Sequence, residues 1–406
     1  MFISASFKHY WIRDLFIFCN VICNQIALCT VNGLNIEEIR RDFPLLNEWV
    51  YLDNAFVGVM PKQVKEGYEE YVDLWYNFSP PGDKTILQEW LTRTTRLRGK
   101  IANFVKVDPD EIAFTMCTGS GLNIVINGMT WKKGDNVVFP EWEHNVLYTN
   151  TTVRNGVESH MVHARDNRFE LGDIEKQIDD RTRLIQVSHV SYVNGDAMDL
   201  RAVSDMAHEH GAKVLVDATQ AVGALDVDYH RAGVDFVAVA PYKYLMGPTG
   251  LAFLYVSKDN LDELIPDRTG WKNQIYEGDN PEESVAEGTA EKFEYGTIHF
   301  QGVFALERSI DYLNKIGTKV IEKRNLMLAG YLFDELVSMG KMMYTPDTPK
   351  SPIVSYFEDN PLPLAARLKS KKIKVTGREA HGGHMRISGH FYNTKEDVDK
   401  LLSNLS

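Results

Sequence analysis

Apolar positions along the chain gather into short unbroken runs separated by stretches of mixed polarity. Ile112 to Thr115, Asn136 to Phe139, Leu184 to Ser188, Val214 to Asp217, Phe236 to Val239 and Leu251 to Val256 have strand length. Continuous rather than alternating hydrophobicity is the mark of strands covered on both faces, as in a parallel sheet. Helical patterns lie between several of them. Leu200, Val203, Met206 and Ala207 share one face, and Gly211 stands where a helix ends. Upstream, Asn35 precedes Ile36-Glu37-Glu38-Ile39-Arg40-Arg41, an N-cap with early acids and late bases that predicts a short helix. The alternation predicts a mostly parallel sheet covered by helices. After about Gln301 the pattern changes: a helix over Val303 to Ile316 leads into an α+β-like region ending at Leu405. Glu277 to Glu291, acidic and rich in Gly, Pro and small residues, reads as a mobile loop.

Two of the apolar runs end in charge. Val214-Leu215-Val216 runs into Asp217, and Ala218-Thr219-Gln220 follow. Phe236 to Val239 is followed by Ala240-Pro241-Tyr242-Lys243 and then by Gly247-Pro248-Thr249-Gly250 and the next apolar run. A lysine between two buried strands is costly unless its amine is neutral or covalently engaged. Ligands of parallel α/β sheets sit beyond the carboxyl ends of strands, where Asp217 and Lys243 both project. Pyridoxal phosphate asks for this pair: a lysine for the aldehyde as a Schiff base, and a carboxylate for the ring nitrogen. Gln220 is placed to hydrogen-bond the ring hydroxyl. Taken singly, Lys243 reads as a surface lysine at a strand corner and Asp217 as a helix N-cap. Their matched contexts favour the cofactor.

Composition changes the picture little. The 406 residues suffice for two domains, with 44% hydrophobic and 25% charged residues. A net charge of -12 argues against nucleic acid as a partner. No apolar run reaches membrane-spanning length, so no membrane partner is expected. Cys19, Cys23 and Cys29 fall in an N-terminal segment that loosely resembles a signal peptide but carries polar breaks and no clear cleavage site. Residues 1–33 are expected to lie outside the fold. Cys117 is the one cysteine beyond them, which suits a reducing cytoplasm. His381, His384 and His390 cluster in sequence, but flexible Gly382 and Gly383 and the lack of an accompanying acid or Cys argue against a metal.

Further motifs follow in order. Thr115 to Gly121 joins a strand to a helix, and the small residues Thr118, Gly119 and Ser120 at the helix N-terminus suit a phosphate. Cys117 beside them reads as a packing residue or a reactive thiol. Glu141-Trp142-Glu143-His144-Asn145, Glu294-Tyr295-Gly296-Thr297, and Met385-Arg386-Ile387-Ser388 with His390, Tyr392, Asn393 and Thr394 complete the set, together with an entry motif Tyr51-Leu52-Asp53-Asn54-Ala55. Taken together, and from about Tyr51 onward, the chain resembles the class V aminotransferase family of pyridoxal-phosphate enzymes, which includes cysteine desulfurases, kynureninase and isopenicillin N epimerase-like proteins.

The resemblance implies the type I fold: a large domain, residues 51–306, with a mostly parallel seven-stranded sheet, and a smaller α+β domain formed by 34–50 and 307–406. It implies that His144 stacks on the cofactor ring and joins in proton transfer, that Tyr242 adds a phosphate hydrogen bond, and that Thr297 reaches the cofactor of the other subunit in a homodimer. Arg386 would grip the substrate carboxylate, and Asn54 would stand at the substrate. Lys243, Asp217 and His144 are the expected catalytic residues. Two departures stand out. Tyr192 occupies the place of an asparagine beside the ring hydroxyl, and Thr376 to His384 lacks the loop cysteine on which desulfurases accept sulfur. The first expectation is therefore a transaminase or Cα epimerase acting on a small amino acid. The second is a lyase, kynureninase-like or acting on cysteine or selenocysteine without a loop thiol. The third is a cofactor-binding protein without turnover.

Overall fold

The computed structural model describes residues 34–78, 85–144, 156–273, 275–276, 284–285 and 288–405. The N-terminal segment and most of the acidic Glu277–Glu291 loop lie outside them. Seven strands build the central sheet: β1 (Ile112–Thr115), β2 (Asn136–Pro140), β3 (Glu158–Val162), β4 (Thr182–Ser188), β5 (Lys213–Asp217), β6 (Phe236–Val239) and β7 (Ala252–Val256). Their spatial order is β1-β7-β6-β5-β4-β2-β3, and only β7 runs against its neighbours. Every expected run is thus a strand. β3 escaped the pattern because it is an edge strand, mostly half-exposed, whose polar Glu158-Ser159-His160 start breaks any apolar run.

Helices cover both faces. α1 (Lys62–Tyr76), α2 (Thr85–Val105), α3 (Thr118–Gly128) and α4 (Leu200–Glu209) precede the long α5 (Phe300–Ile316) and α6 (Thr318–Ser338). Asp199 caps α4 by accepting from the Ala202 amide, and Gly211, at φ 72°, follows its end. Asn35 likewise caps the short helix Ile36–Arg40 through the Glu38 amide. A second, antiparallel sheet of β8 (Ile353–Phe357), β9 (Thr376–Arg378) and β10 (His384–Ser388) follows, in the order β8-β10-β9. The N-terminal side of the fold is stitched onto it, with Val50–Tyr51 pairing in parallel with Ile373–Lys374 and Asp53 bridging Ser388.

Because six of the seven central strands point the same way, their carboxyl ends share one edge. Asp217 ends β5, Ser188 ends β4 beside it, and the loop after β6 carries Lys243 to the same rim. β10 brings Arg386 to face that rim from the second sheet. Among the described residues no helix is long and apolar enough to cross a membrane.

Candidate active site

A cavity of about 690 Å³ opens at this rim, and Lys243, Asp217, Gln220, Thr118, His144 and Arg386 all contribute to its wall. The loop that carries Lys243 is fixed on every side. Its turn closes with Met246 N–H to Lys243 O at 3.0 Å and Gly247 N–H to Pro241 O at 2.9 Å. Met246 sits at φ 53°, a conformation a side-chain-bearing residue adopts only when its surroundings impose it. His390, fully buried, binds Tyr244 O through Nε2 at 2.9 Å. Gly58 donates to Tyr242 O at 2.9 Å, and a Cβ there would lie 1.9 Å from Lys243 O, so only glycine permits the approach. Burial holds the Lys243 amine down to about pKa 8; Asp217 works against that shift, while Arg386 and Arg378 add to it.

Asp217 is half-buried, and its Oδ1 accepts the Thr219 amide at 3.0 Å. Thr219 ties three elements together: its hydroxyl pairs with Thr118 Oγ1 at 2.7 Å and accepts the Ala240 amide at 3.3 Å. Gln220 donates Nε2 to Ala55 O at 3.0 Å, which leaves its buried Oε1 without a partner. Thr118 and Gly119 open α3 at the cavity wall. Ser120 and Thr297 do not line this cavity. Ser120 approaches Cys117 Sγ at 3.3 Å and, with the exposed Thr297, lines a neighbouring cavity of about 290 Å³. Within one chain the structure therefore keeps Thr297 away from Lys243.

His144 is exposed at the mouth, its ring set edge-on to Tyr192 with centroids 6.1 Å apart. Tyr242 is half-buried, with the Lys243 amine 5.8 Å from its ring centre. Arg386 is 1% exposed. It donates Nη1 to Tyr192 O at 2.9 Å and stands 3.5 Å from Asp53 Oδ1. Its Nε and Nη2 have no hydrogen-bond acceptor, and desolvation lowers its pKa to about 10. A buried guanidinium with unspent donors on a cavity wall is a socket for a carboxylate.

Asn54 departs from expectation. It is fully buried and does not line the cavity. Its Nδ2 donates to Ser388 O at 3.1 Å and its Oδ1 accepts the Tyr392 hydroxyl at 2.6 Å, so its amide is spent on joining the entry motif to β10.

Two residues were not singled out from sequence. Arg378, at the end of β9, lines the cavity with its guanidinium 5.1 Å above the Tyr192 ring; its position before a Gly-rich turn disguised it. Glu143 accepts both the amide and the hydroxyl of Ser188, at 2.7 Å each. Burial raises its pKa to about 8, with Asp217 contributing in the same direction. Sequence placed Glu143 in the right motif, but a lone carboxylate in a loop carries no sign of burial. Cys117 is exposed and lines the cavity as a free thiol. Among the described residues no group of three His, Cys, Asp or Glu side chains is arranged for a metal.

The model of the family described as aminotransferase class-V matches residues 50–401. A probable cysteine desulfurase of Methanothermobacter thermautotrophicus is 33% identical over 389 residues, covering 91% of this chain and 96% of the relative. One of Pyrococcus abyssi is 32% identical over 388 residues, covering 90% and 96%. The apo structure of cysteine desulfurase from Thermococcus onnurineus superposes with a TM-score of 0.83 at 28% identity, covering 90% of this chain and 96% of that one. The architecture is accordingly the type I fold of pyridoxal-phosphate enzymes.

Proposed function

The chain belongs to the aminotransferase class-V family, and from that premise we propose that it is a pyridoxal-phosphate-dependent lyase that breaks the C–S bond of a cysteine-like amino acid. Its relatives carry the name cysteine desulfurase rather than transaminase or epimerase, so the second expectation from sequence displaces the first. The observation that carries the reading is one cavity walled by a lysine amine of lowered pKa, a carboxylate and a buried arginine with free donors.

The residues present fit the cofactor. Asp217 offers a carboxylate for the ring nitrogen, the orphaned Gln220 Oε1 an acceptor for the ring hydroxyl, and Thr118, Gly119 and Tyr242 a cradle for the phosphate. Ser120 and Thr297 fit better as groups shared across a homodimer, each subunit's Thr297 serving its partner. His144 stands where it can cover the ring. When bound, the cofactor supplies an electron sink that makes the Cα–H bond of an amino acid acidic.

Arg386 holds the substrate carboxylate through Nε and Nη2, which fixes the orientation of Cα. Lys243, its amine partly neutral near pH 7, takes the Cα proton at Nζ. Burial keeps that amine from being fully charged, with Arg386 and Arg378 adding to it, and Asp217 works in the opposite direction. The sulfur leaves Cβ with the bonding pair, and water converts the remaining three-carbon fragment to pyruvate and ammonium. Thr376 to His384 offers no loop thiol to receive sulfur, and in this reading sulfur departs with its own substituent, as sulfide or thiol, or as a persulfide from a disulfide substrate. A reducing cytoplasm suits both that product and an exposed Cys117.

The test is product analysis of the holoenzyme with L-cysteine, L-selenocysteine and L-cystine. Pyruvate and ammonium in equal amounts with released sulfur species are expected. Alanine with sulfur retained on the protein would mean desulfuration instead, and conversion of the cofactor to its amine form with a keto acid released would return the transaminase reading.

A further inference from the structure

The cavity holds one arginine more than the binding of a simple amino acid requires. β9 and β10 pair antiparallel with Thr376 opposite Arg386 and Arg378 opposite His384. Residues directly opposite share a face of the sheet, and so do residues two apart on one strand. Arg378 and Arg386 are therefore diagonal neighbours on a single face, and both line the cavity. Two guanidinium groups so placed repel each other, and their closeness helps to depress Arg386.

The two are not equally compensated. Arg386 shares Asp53 with Lys374, whose amine lies 2.8 Å from Asp53 Oδ2. Arg378 forms no ion pair among the described residues, and its buried Nε has no acceptor. Tyr192 serves both: its carbonyl receives Arg386, and its ring lies under Arg378 and restricts the guanidinium's freedom. An arginine held over an aromatic ring, with its buried Nε unspent on a cavity wall, is preorganised for an anion. The cavity, at about 690 Å³, has to take the cofactor and the substrate together.

We infer that Arg378 binds a second acidic group, carried by the departing portion of the substrate, so that the preferred substrate is an amino acid with an anionic group at each end. This deepens the lyase reading above and rests on the same site. Arg386 anchors the carboxylate at Cα; Arg378 selects for the far one. A substrate without the second anion leaves Arg378 desolvated and unpaired, and that penalty is itself the discrimination.

The test separates binding from turnover. L-2-aminoadipate and L-norleucine have the same chain length and differ in the terminal carboxylate, and neither has a β-leaving group. Their binding to the holoenzyme is measured by calorimetry for wild type, Arg378→Ala and Arg378→Lys. Wild type is expected to favour aminoadipate on the order of 10- to 100-fold, the range of one charge-assisted pair. Arg378→Ala should abolish that preference, weakening aminoadipate and relieving norleucine of the unpaired guanidinium, and Arg378→Lys should restore part of it. Equal binding of the two ligands to wild type, or a preference that survives Arg378→Ala, overturns the inference. If the preference holds while no substrate yields pyruvate, the lyase reading fails and the second anion site stands.

Discussion

Acetylating the cofactor-free protein with trace acetic anhydride at a series of pH values, and quantifying each lysine by peptide mass spectrometry, measures the neutral fraction of Lys243 directly. Desolvation is the main reason its pKa falls to about 8. At pH 7 that leaves roughly a tenth of the amines neutral, against roughly three in ten thousand for an ordinary lysine, a ratio of ~300-fold. The labelling profile of Lys243 should therefore inflect near 8, well below the ~10.4 of an ordinary lysine side chain. The structure also fixes the sign of two perturbations. Asp217→Asn removes the charge that favours the ammonium and should move the inflection lower. Arg378→Ala removes a repelling cation and should move it higher. A Lys243 profile that inflects at the value of an ordinary lysine, or shifts of the same sign in the two variants, would refute the account of how this amine is prepared.

Four further outcomes follow from the same geometry. Arg386→Ala should raise KM for every amino acid tested by on the order of 10- to 100-fold, because the carboxylate loses its buried partner; an unchanged KM would place the carboxylate elsewhere. Glu143, with a pKa raised in the folded state to about 8, binds more protons folded than unfolded between about pH 4.5 and pH 8. Its contribution is full below that window and is lost as pH rises through 8, so Glu143→Gln should flatten the fall in urea midpoint between pH 5 and pH 8. Gly58→Ala places a methyl against Lys243 O and should cost roughly 1–3 kcal/mol, together with slower cofactor uptake, read as absorbance on reconstitution. Glu294, 2% exposed, pairs with Arg98 and Lys272 and accepts the Phe114 amide at 2.8 Å; both cations also reach Glu291, so Glu294→Gln should lower stability by roughly 1–3 kcal/mol, the cost of a weakened buried charge network, read as a lower urea midpoint.

What sequence showed of this site depended on whether a residue's role was announced by its own neighbours. Asp217 and Lys243 were legible because each follows a run of strand hydrophobicity, and a parallel sheet sends such ends to one edge. Thr118 and Gly119 were legible for the same reason at β1. Arg378 was not, because its meaning lies in the register of β9 on β10, which places it diagonally beside Arg386; no periodicity encodes that register. Glu143 was hidden because its hydrogen-bond partner is Ser188, distant in sequence at the end of β4. Asn54 stands in a recognisable motif, yet it is buried off the cavity wall with its amide engaged by Ser388 and Tyr392. Thr297 lines the neighbouring cavity, apart from Lys243, and nothing in its own motif marks that separation. Local pattern carried the sheet, and long-range pairing decided which polar side chains face the cavity.

The Asn54–Ser388 hydrogen bond joins groups 334 residues apart in sequence, and Asp53 meets Arg386 across nearly the same span. During synthesis the chain emerges from its N-terminus, so β5, β6 and the Lys243 loop are available to fold well before β10 exists. Asp53 meanwhile waits, its carboxylate in water, for a guanidinium not yet made. The reactive amine is thus produced before the arginine that decides what may approach it. A chain interrupted ahead of His384 would keep the lysine and lose the means of choosing its substrate, and the last strand to be translated acts as the licence for the first chemistry.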